Sequence, residues 1–235
     1  MSSSQFTFKQ FSIKQEHCAM KVGTDGCLLG AWTDLSESKK VLDIGSGSGL
    51  IAIMAAQRCK ANIIGIEIDS DAALQAKENA KLSPWSNRID IINCDIKDYI
   101  AEEKFDTIVS NPPFFSDSLK CLQKERNLAR HDDSLACNEL MECAARLLTE
   151  DGKFSVVIPN DLLQKWCDEA LYKGLSATRI TYVHTLPHKP AKRVLIEFSK
   201  KSCLKAKTNE LILEDAPGKY SADAINLLRD FYLKL

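Results

Sequence analysis

The chain has 235 residues, of which 45% are hydrophobic and 27% are charged, and it carries a formal net charge of -1. These values are typical of one large globular domain or of two small ones, and we expect one α/β domain with appendages. A net charge so close to zero excludes nucleic-acid binding by overall basicity. Any RNA contact must therefore come from a local cluster of basic residues.

The cysteines and the start of the chain narrow the class of protein. The 9 cysteines are scattered, and no two of them have the spacing C-x-x-C. This pattern favours reduced thiols over a disulfide framework or a zinc site. The start, "MSSSQFTFKQF", lacks the regions of a signal peptide, and no later run approaches the ~18 apolar residues of a membrane span. We expect a cytoplasmic protein with no metal and no membrane partner, and we take it to be a monomer.

From residue 41 onward, short apolar runs alternate with amphipathic stretches. Such alternation predicts a doubly wound α/β fold, with a seven-stranded, mostly parallel sheet, one antiparallel strand and helices on both faces. The last two strands are joined by a turn with proline, which predicts an antiparallel hairpin at the sheet edge. The predicted core strands cover residues 41–45, 63–68, 89–93, 105–110, 153–159, 177–184 and 192–200, and a final strand-like run follows at 211–215. The predicted helices cover 49–59, 70–82 with Ser70 as N-cap, about 97–102, 135–149, about 161–172 and 221–235.

A glycine-rich loop, "DIGSGSGL", follows the first core strand and precedes a helix. Nucleotides bind at this place in doubly wound folds, where glycines let a ligand approach the backbone. The dinucleotide fingerprint fails because Leu50 replaces its third glycine, and the carboxylate of Asp43 suits a cationic sulfonium and ammonium better than a pyrophosphate. The loop resembles motif I of the class I S-adenosylmethionine-dependent methyltransferases. The resemblance implies that Asp43 anchors the methionine end of the cofactor and that the loop packs on it through Gly45, Gly47 and Gly49.

Two acidic residues follow the next two strands. Glu67 lies 18 residues after Gly49, close to the ~20-residue spacing at which an acid meets ribose hydroxyls. Its two oxygens can accept both vicinal hydroxyl protons. Asp69 is the rival candidate, but we expect it to help start the following helix. Asp95 lies where this superfamily places an acceptor for the adenine amino group of the cofactor, and a simple loop turn is the alternative.

The stretch "NPPF", residues 111–114, follows the fourth strand and resembles motif IV of the amino-group methyltransferases. The exocyclic amine of a base is a poor nucleophile because its lone pair is delocalised. The Asn111 side-chain oxygen and the Pro112 carbonyl would accept both N–H protons, and the prolines restrict where that carbonyl points. Asn111 would also border the cofactor. Alignment and polarisation then suffice for catalysis, and Phe114 would stack on the base, which is worth ~1–3 kcal/mol.

Motif IV alone does not separate adenine N6, guanine N2 and glutamine N5 as acceptors. Residues 6–32, however, resemble the start of the bacterial tRNA1(Val) adenine N6-methyltransferases, which modify the adenine at tRNA position 37. The resemblance covers about residues 6–200, with Phe114 in place of the usual tyrosine. The matching pieces are "FKQF" (8–11), "CAMKV" (18–22), "TDG" (24–26), "NPPFF" (111–115), "ARH" (129–131) and "PHKPAKRVLIEF" (187–198).

This resemblance also implies how the remaining parts are used. Residues 1–40 would cover the cofactor, residues 41–200 would form the core, and residues 201–235 would extend the same domain, with a polar connector at 200–210. Cofactor contacts are expected from Lys21, Thr24 and Asp25, although an ordinary capped helix start is the alternative for the last two. Two basic clusters would grip phosphates of the tRNA, unless they are solvated faces. They are Arg126, Arg130 and His131, and Lys189, Lys192 and Arg193.

Other functions could use the same motif. A protein glutamine N5-methyltransferase normally has a separate N-terminal helical domain, whereas only 40 residues precede the first core strand here. An rRNA guanine N2-methyltransferase shares the motif and stays an alternative. A non-catalytic RNA binder would show damage in the glycine loop or motif IV, and both are intact. The sequence therefore predicts S-adenosylmethionine-dependent N6-methylation of a tRNA adenine, adenine 37 of tRNA1(Val).

Overall fold

The computed structural model describes residues 4–18, 20–113 and 137–234. Its strands are β1 (Gln5–Thr7), β2 (Ser12–Lys14), β3 (Lys40–Ile44), β4 (Asn62–Glu67), β5 (Ile89–Asn93), β6 (Phe105–Ser110), β7 (Leu148–Pro159), β8 (Ser176–His184), β9 (Arg193–Ser199), β10 (Lys207–Ile212), β11 (Glu214–Ala216) and β12 (Lys219–Tyr220). Its helices are α1 (Thr24–Trp32), α2 (Leu50–Arg58), α3 (Ser70–Leu82), α4 (137–147), α5 (Leu163–Tyr172) and α6 (Ala222–Leu228), with 3-10 turns at Ser86–Arg88 and Asn160–Leu162.

Eight of these strands form one sheet in the order β10-β8-β9-β7-β6-β3-β4-β5. β9 is antiparallel to both of its neighbours, and the other pairs are parallel. Successive residues of a central strand face opposite sides of the sheet, and because helices cover both sides, the residues on either side must be apolar. Val41 packs with α2 and α3, whereas Leu42 packs with α4 and α5 on the other side. The predicted doubly wound α/β fold with one antiparallel strand is confirmed.

The sheet has eight strands instead of the predicted seven, because residues 207–212 form β10 alongside β8. This stretch was predicted to belong largely to a polar connector. Four of its six residues are exposed, since an edge strand buries little of its surface and needs no apolar pattern. The antiparallel pair of β8 and β9 exists, but β10 covers it, so the prediction that this hairpin forms the sheet edge is wrong.

Helix boundaries differ from the prediction in several places. Residues 97–102 form turns and irregular backbone instead of a helix. α4 ends at residue 147, where β7 begins, and α6 ends at Leu228, well before residue 235. The extent of α3 is as predicted, but its N-cap is Asp69 and not Ser70. The Asp69 carboxylate accepts a hydrogen bond from the Ala72 amide at 2.8 Å, which satisfies a free donor of the first turn.

The N-terminal segment packs on α3 and on the end of the chain. Phe8 stacks on Phe11 with ring centroids 4.6 Å apart, and the Lys9 amide donates to the Phe231 carbonyl at 2.8 Å. Phe8, Phe11 and Phe231 belong to the buried cluster that also contains residues of α1 and α2. The two ends of the described chain therefore support the same face of the sheet.

The described cysteines are all free thiols, and Cys121 lies outside the described residues. Within residues 4–18, 20–113 and 137–234, no three His, Cys, Asp or Glu side chains come together as metal ligands would. The same ranges contain no helix long and apolar enough to cross a membrane.

Candidate active site

A cavity of about 410 Å³ opens at the C-terminal edge of the parallel strands, above β3 and β6. This is the edge at which doubly wound folds bind their ligands. Its walls come from the glycine loop, the first turns of α1 and α2, the end of β6 and the start of β9. The lining residues are Met20 to Gly26, Gly45 to Ser48, Leu50, Ile51, Asn111, Pro112 and Arg193. Three stretches that the sequence singled out separately thus meet in one cavity.

The glycine loop contains left-handed backbone conformations that residues other than glycine adopt only with strain. Gly45 and Gly47 have φ of 73° and 54°, and a Cβ added to either would have no heavy atom within 4 Å. The space in front of both glycines is therefore open to a ligand. The Gly45 and Ser46 amides both donate to the Ile66 carbonyl, at 2.8 and 3.0 Å, which ties the loop to β4.

Asp43 lies beneath this loop and not in the cavity wall. Its side chain is buried, and its Oδ2 accepts a hydrogen bond from the Ala52 amide at 3.0 Å. Its Oδ1 is also buried and has no hydrogen-bond partner among the described residues. Burial raises the pKa of Asp43 to about 7, against the lowering effect of the Ala52 amide, and the charge of Glu67 raises it further. An unpaired acceptor suits a cationic ammonium group, but this oxygen does not border the 410 Å³ cavity, so the contact of Asp43 with the methionine end of the cofactor stays a prediction.

Glu67 lies at the end of β4 and supports the glycine loop. Its Oε2 accepts a hydrogen bond from the Gly47 amide at 2.7 Å, and its Oε1 accepts one from the Asp69 amide at 3.0 Å. Each oxygen has a second lone pair, which leaves capacity for hydroxyl donors. Glu67 does not line the 410 Å³ cavity, so its ribose contact stays a prediction.

Asp95 also lies outside the cavity wall. Its Oδ1 accepts a hydrogen bond from the Lys97 amide at 2.9 Å, and its Oδ2 lies 3.4 Å from the Lys97 ammonium. This is the loop turn that we named as the alternative. The adenine contact of Asp95 stays a prediction.

Asn111 and Pro112 face the cavity directly after β6. The strand end is held in place because the Ser110 hydroxyl donates to the Ile44 carbonyl of β3 at 2.8 Å. α1 approaches closely on the other side: a Cβ on Gly26 would lie 3.3 Å from the Leu50 side chain and 3.7 Å from the Asn111 amide nitrogen. Phe114, Arg126, Arg130 and His131 lie outside the described residues.

The N-terminal segment of residues 1–40, here called the covering segment, contributes Lys21, Thr24 and Asp25 to the cavity wall. These are the residues for which the sequence predicted cofactor contacts. Thr24 and Asp25 also begin α1, so the helix-start alternative describes the same residues. The Asp25 carboxylate accepts a hydrogen bond from Arg193 Nε at 2.8 Å. Arg193 is therefore an internal partner of Asp25 and not a free surface cation. Lys189 is exposed, and Lys192 lines a neighbouring cavity.

The sequence analysis missed two buried amides, Gln75 and Asn79, that hold the covering segment in place. They lie one turn apart on α3. Gln75 Oε1 accepts hydrogen bonds from the Glu16 and His17 amides at 3.1 and 3.3 Å. Asn79 bonds both backbone groups of Lys14, and its Nδ2 also donates to the Ser48 carbonyl of the glycine loop at 2.9 Å. The available signal was a pair of amides at spacing i, i+4 on the alanine-rich, buried face of α3.

The sheet order, the glycine loop after β3 and the Asn-Pro-Pro after β6 define a class I methyltransferase. Two solved structures have the same fold. A predicted O-methyltransferase from Agrobacterium tumefaciens has a TM-score of 0.66 at 19% identity, covering 88% of this chain and 96% of that one. A TehB-like SAM-dependent methyltransferase from Corynebacterium glutamicum has a TM-score of 0.52 at 18% identity, covering 76% and 89%. The family model for the methyltransferase small domain matches residues 21–180.

The chain belongs to the tRNA1(Val) (adenine(37)-N6)-methyltransferase family. A relative with this name from Bacteroides fragilis (strain YCH46) is 48% identical over 100% of both chains. One from Trichodesmium erythraeum is 45% identical, again over 100% of both, and one from Photorhabdus laumondii is 42% identical over 97% of this chain and 95% of its own. The family that the sequence motifs predicted is confirmed.

Proposed function

We propose that this chain transfers the methyl group of S-adenosyl-L-methionine to N6 of an adenine in tRNA, namely adenine 37 of tRNA1(Val). The observation that carries this proposal is that Asn111 and Pro112 share one cavity with the glycine loop. A cofactor on the loop and an amine held at Asn111 would then be neighbours. The relatives named above, which match the chain over nearly its whole length, support the choice of adenine in tRNA over guanine or glutamine.

The residues around the glycine loop fit the cofactor. Asp43 has an unpaired Oδ1 for the ammonium group, a contact that requires the glycine loop to expose this buried oxygen, and Glu67 has lone pairs left for the ribose hydroxyls. The backbone in front of Gly45 and Gly47 is open, and Lys21, Thr24 and Asp25 of the covering segment close the opposite wall. Asp95 would accept from the adenine amino group if its turn opens towards the ligand. When bound, S-adenosyl-L-methionine supplies an electrophilic methyl group on a sulfonium.

Asn111 and Pro112 prepare the nitrogen that attacks. The Asn111 side-chain oxygen and the Pro112 carbonyl each accept one N–H of the exocyclic amine, which directs the nitrogen lone pair out of the plane of the base. The methylated nitrogen then carries a positive charge and releases one proton to water, so no strong base is needed. Phe114 is proposed from the sequence as the face on which the base stacks. The target base must leave the stack of its own strand to reach this site.

The contacts to tRNA are proposed to come from exposed cations around the cavity mouth. Lys189 and Lys192 are exposed in the structure, and Arg126, Arg130 and His131 are proposed from the sequence. Arg193 already pairs with Asp25, so its proposed RNA contact requires this ion pair to rearrange. A tRNA substrate implies a cytoplasmic enzyme, and one copy of the chain contains every proposed site residue, in keeping with a monomer.

The test is to incubate the protein and its Asn111→Ala variant with labelled S-adenosyl-L-methionine and unmodified tRNA1(Val), and to identify the product nucleoside by mass. We expect N6-methyladenosine from the wild type and a rate lower by about 100-fold or more from the variant, by analogy with the loss of one transition-state hydrogen bond. Cofactor affinity, measured by equilibrium dialysis, should change little. The matched control is Asn209→Ala, an exposed asparagine on the edge strand β10.

Two outcomes would contradict the proposal. A near-normal rate for Asn111→Ala would remove Asn111 from the chemistry. Methylglutamine in a protein extract, with no label in RNA, would keep the cofactor site and replace the substrate.

A further inference from the structure

A second cavity of about 300 Å³ lies beside the first one. Thr24, Asp25 and Arg193 line both cavities, so the ion pair between Asp25 and Arg193 forms part of the wall between them. The remaining walls come from the ends of β8 and β10, from Leu28 of α1 and from the small hairpin β11–β12. Apart from Leu28, the lining residues of these walls are Val183, Thr185, Lys192, Leu213, Glu214 and Tyr220. The proposed catalytic steps use none of these six side chains.

The hairpin holds Tyr220 firmly at the cavity wall. Tyr220 pairs with Glu214 across β11 and β12, and Glu214 Oε2 accepts a hydrogen bond from the Gly218 amide at 3.1 Å. The next residue, Ser221, donates its amide to the Leu213 carbonyl at 2.9 Å and caps α6 by accepting from Ala224. The backbone on both sides of Tyr220 is therefore held in place, and the side chain of Tyr220 lines the cavity.

The charges in this cavity are balanced. Lys192 and Arg193 are cationic, Asp25 and Glu214 are anionic, and the two carboxylates already have internal donors. A phosphate in the cavity would meet two carboxylates. The apolar side chains of Leu28, Val183 and Leu213 and the ring of Tyr220 instead suit a neutral, flat group with a polar edge. The volume is at the lower end of the range of about 300–1,000 Å³ typical of ligand pockets.

We propose that the second cavity holds the base of a nucleotide that flanks the target adenine, stacked against Tyr220. This inference rests on the proposed function, because it takes the substrate of the first cavity to be RNA. A target base taken out of its stack brings its neighbours towards the protein, and the second cavity shares the wall of Thr24, Asp25 and Arg193 with the cavity that contains Asn111. Lys192 at the exposed rim of the cavity is suited to the phosphate that joins the two nucleotides.

The experiment is a double-mutant cycle between the protein and the RNA. Wild type and Tyr220→Ala are each assayed on tRNA1(Val) transcripts that are intact or abasic at the nucleotide before or after the target. On the intact transcript, Tyr220→Ala should lower kcat/KM by about 5- to 150-fold, which corresponds to the stacking energy of one base. One abasic transcript should lower wild-type kcat/KM by a similar factor, and Tyr220→Ala should then cause little further loss. Cofactor affinity should stay unchanged, because Tyr220 does not line the first cavity.

Three further variants make the test specific. Tyr220→Phe should keep most of the activity, since it retains the ring. Thr185→Trp fills the cavity from the end of β8 without shortening any side chain of the hairpin, and it should reduce kcat/KM on the intact transcript even if Tyr220→Ala fails to fold. Tyr172→Ala is the matched control, because Tyr172 is 83% exposed and ends α5 just before the start of β8, whereas the cavity lies at the other end of β8.

The outcomes separate the two proposals. Two results would reject the second cavity as a base site while leaving the proposed function intact. One is full activity of both Tyr220→Ala and Thr185→Trp. The other is that, on both abasic transcripts, the loss from Tyr220→Ala multiplies with the loss from removing the base. If the wild type makes no N6-methyladenosine on the intact transcript, the proposed function fails and this inference falls with it.

Discussion

Replacing Asn79 with alanine tests how the covering segment is joined to the glycine loop. Asn79 is 1% exposed, and its side chain makes three hydrogen bonds to backbone. It accepts from the Lys14 amide at 2.9 Å and donates to the Lys14 carbonyl at 2.8 Å and to the Ser48 carbonyl at 2.9 Å. The substitution removes all three bonds, so the Lys14 amide and the carbonyls of Lys14 and Ser48 lose Asn79 as their partner.

The size of the effect follows from these three bonds. A typical intramolecular hydrogen bond contributes about 0.5–1.5 kcal/mol net, and a buried group left unsatisfied costs more. Water entering the space of the lost amide offsets part of the cost, so we expect the free energy of unfolding to fall by about 2–3 kcal/mol. For a chain of this length this corresponds to a Tm lower by about 4–12 °C. Affinity for S-adenosyl-L-methionine should fall as well, because Ser48 and the segment after Lys14 both border the cofactor cavity.

Urea and thermal unfolding of the free protein, followed by equilibrium dialysis with the cofactor, measure both effects. Lys77→Ala is the matched control, since Lys77 is an exposed residue on the same helix. An Asn79→Ala variant within about 0.5 kcal/mol of the wild type, the range of ordinary surface substitutions, would refute the reasoning. It would mean that water replaces the amide at no cost and that the segment is held by its apolar contacts alone.

Two further predictions concern the glycine loop. Burial raises the pKa of Asp43 to about 7, so its protonated form stabilises the folded free protein below about pH 4 and this stabilisation is lost as the pH rises through 7. We therefore expect the free energy of unfolding of Asp43→Asn, measured from pH 4 to 8, to rise relative to that of the wild type by on the order of 3 kcal/mol. A difference between the two proteins that does not change with pH would contradict this. Cofactor affinity of the wild type, but not of Asp43→Asn, should increase over the same pH range, because the carboxylate binds the ammonium. Gly49 has φ of 80° and would place a Cβ 3.4 Å from Ala76, so Gly49→Ala should lower stability by about 1–2 kcal/mol; unchanged urea unfolding would show that the loop relaxes freely.

Local patterns predicted α3 and β6 to the residue, because a continuous apolar run or a capped amphipathic stretch needs no distant partner to be recognised. The glycine loop and Asn111 were found for a related reason: motif residues lie at strand ends, and parallel strand ends meet at one edge of the sheet. Most of β10, residues 207–210, was missed because an edge strand can be polar. The bond between Asn79 and Ser48 and the ion pair between Asp25 and Arg193 join residues 31 and 168 positions apart. No pattern within a short window contains such pairs.

The ion pair between Asp25 and Arg193 has a thermodynamic consequence because it belongs to the walls of two cavities. Any ligand that shifts the guanidinium of Arg193 changes the electrostatic field on both sides of the wall. By linkage, the effect of RNA on cofactor affinity must then equal the effect of the cofactor on RNA affinity. If the second cavity holds RNA as proposed, this one charged pair couples the binding of the cofactor to the binding of RNA.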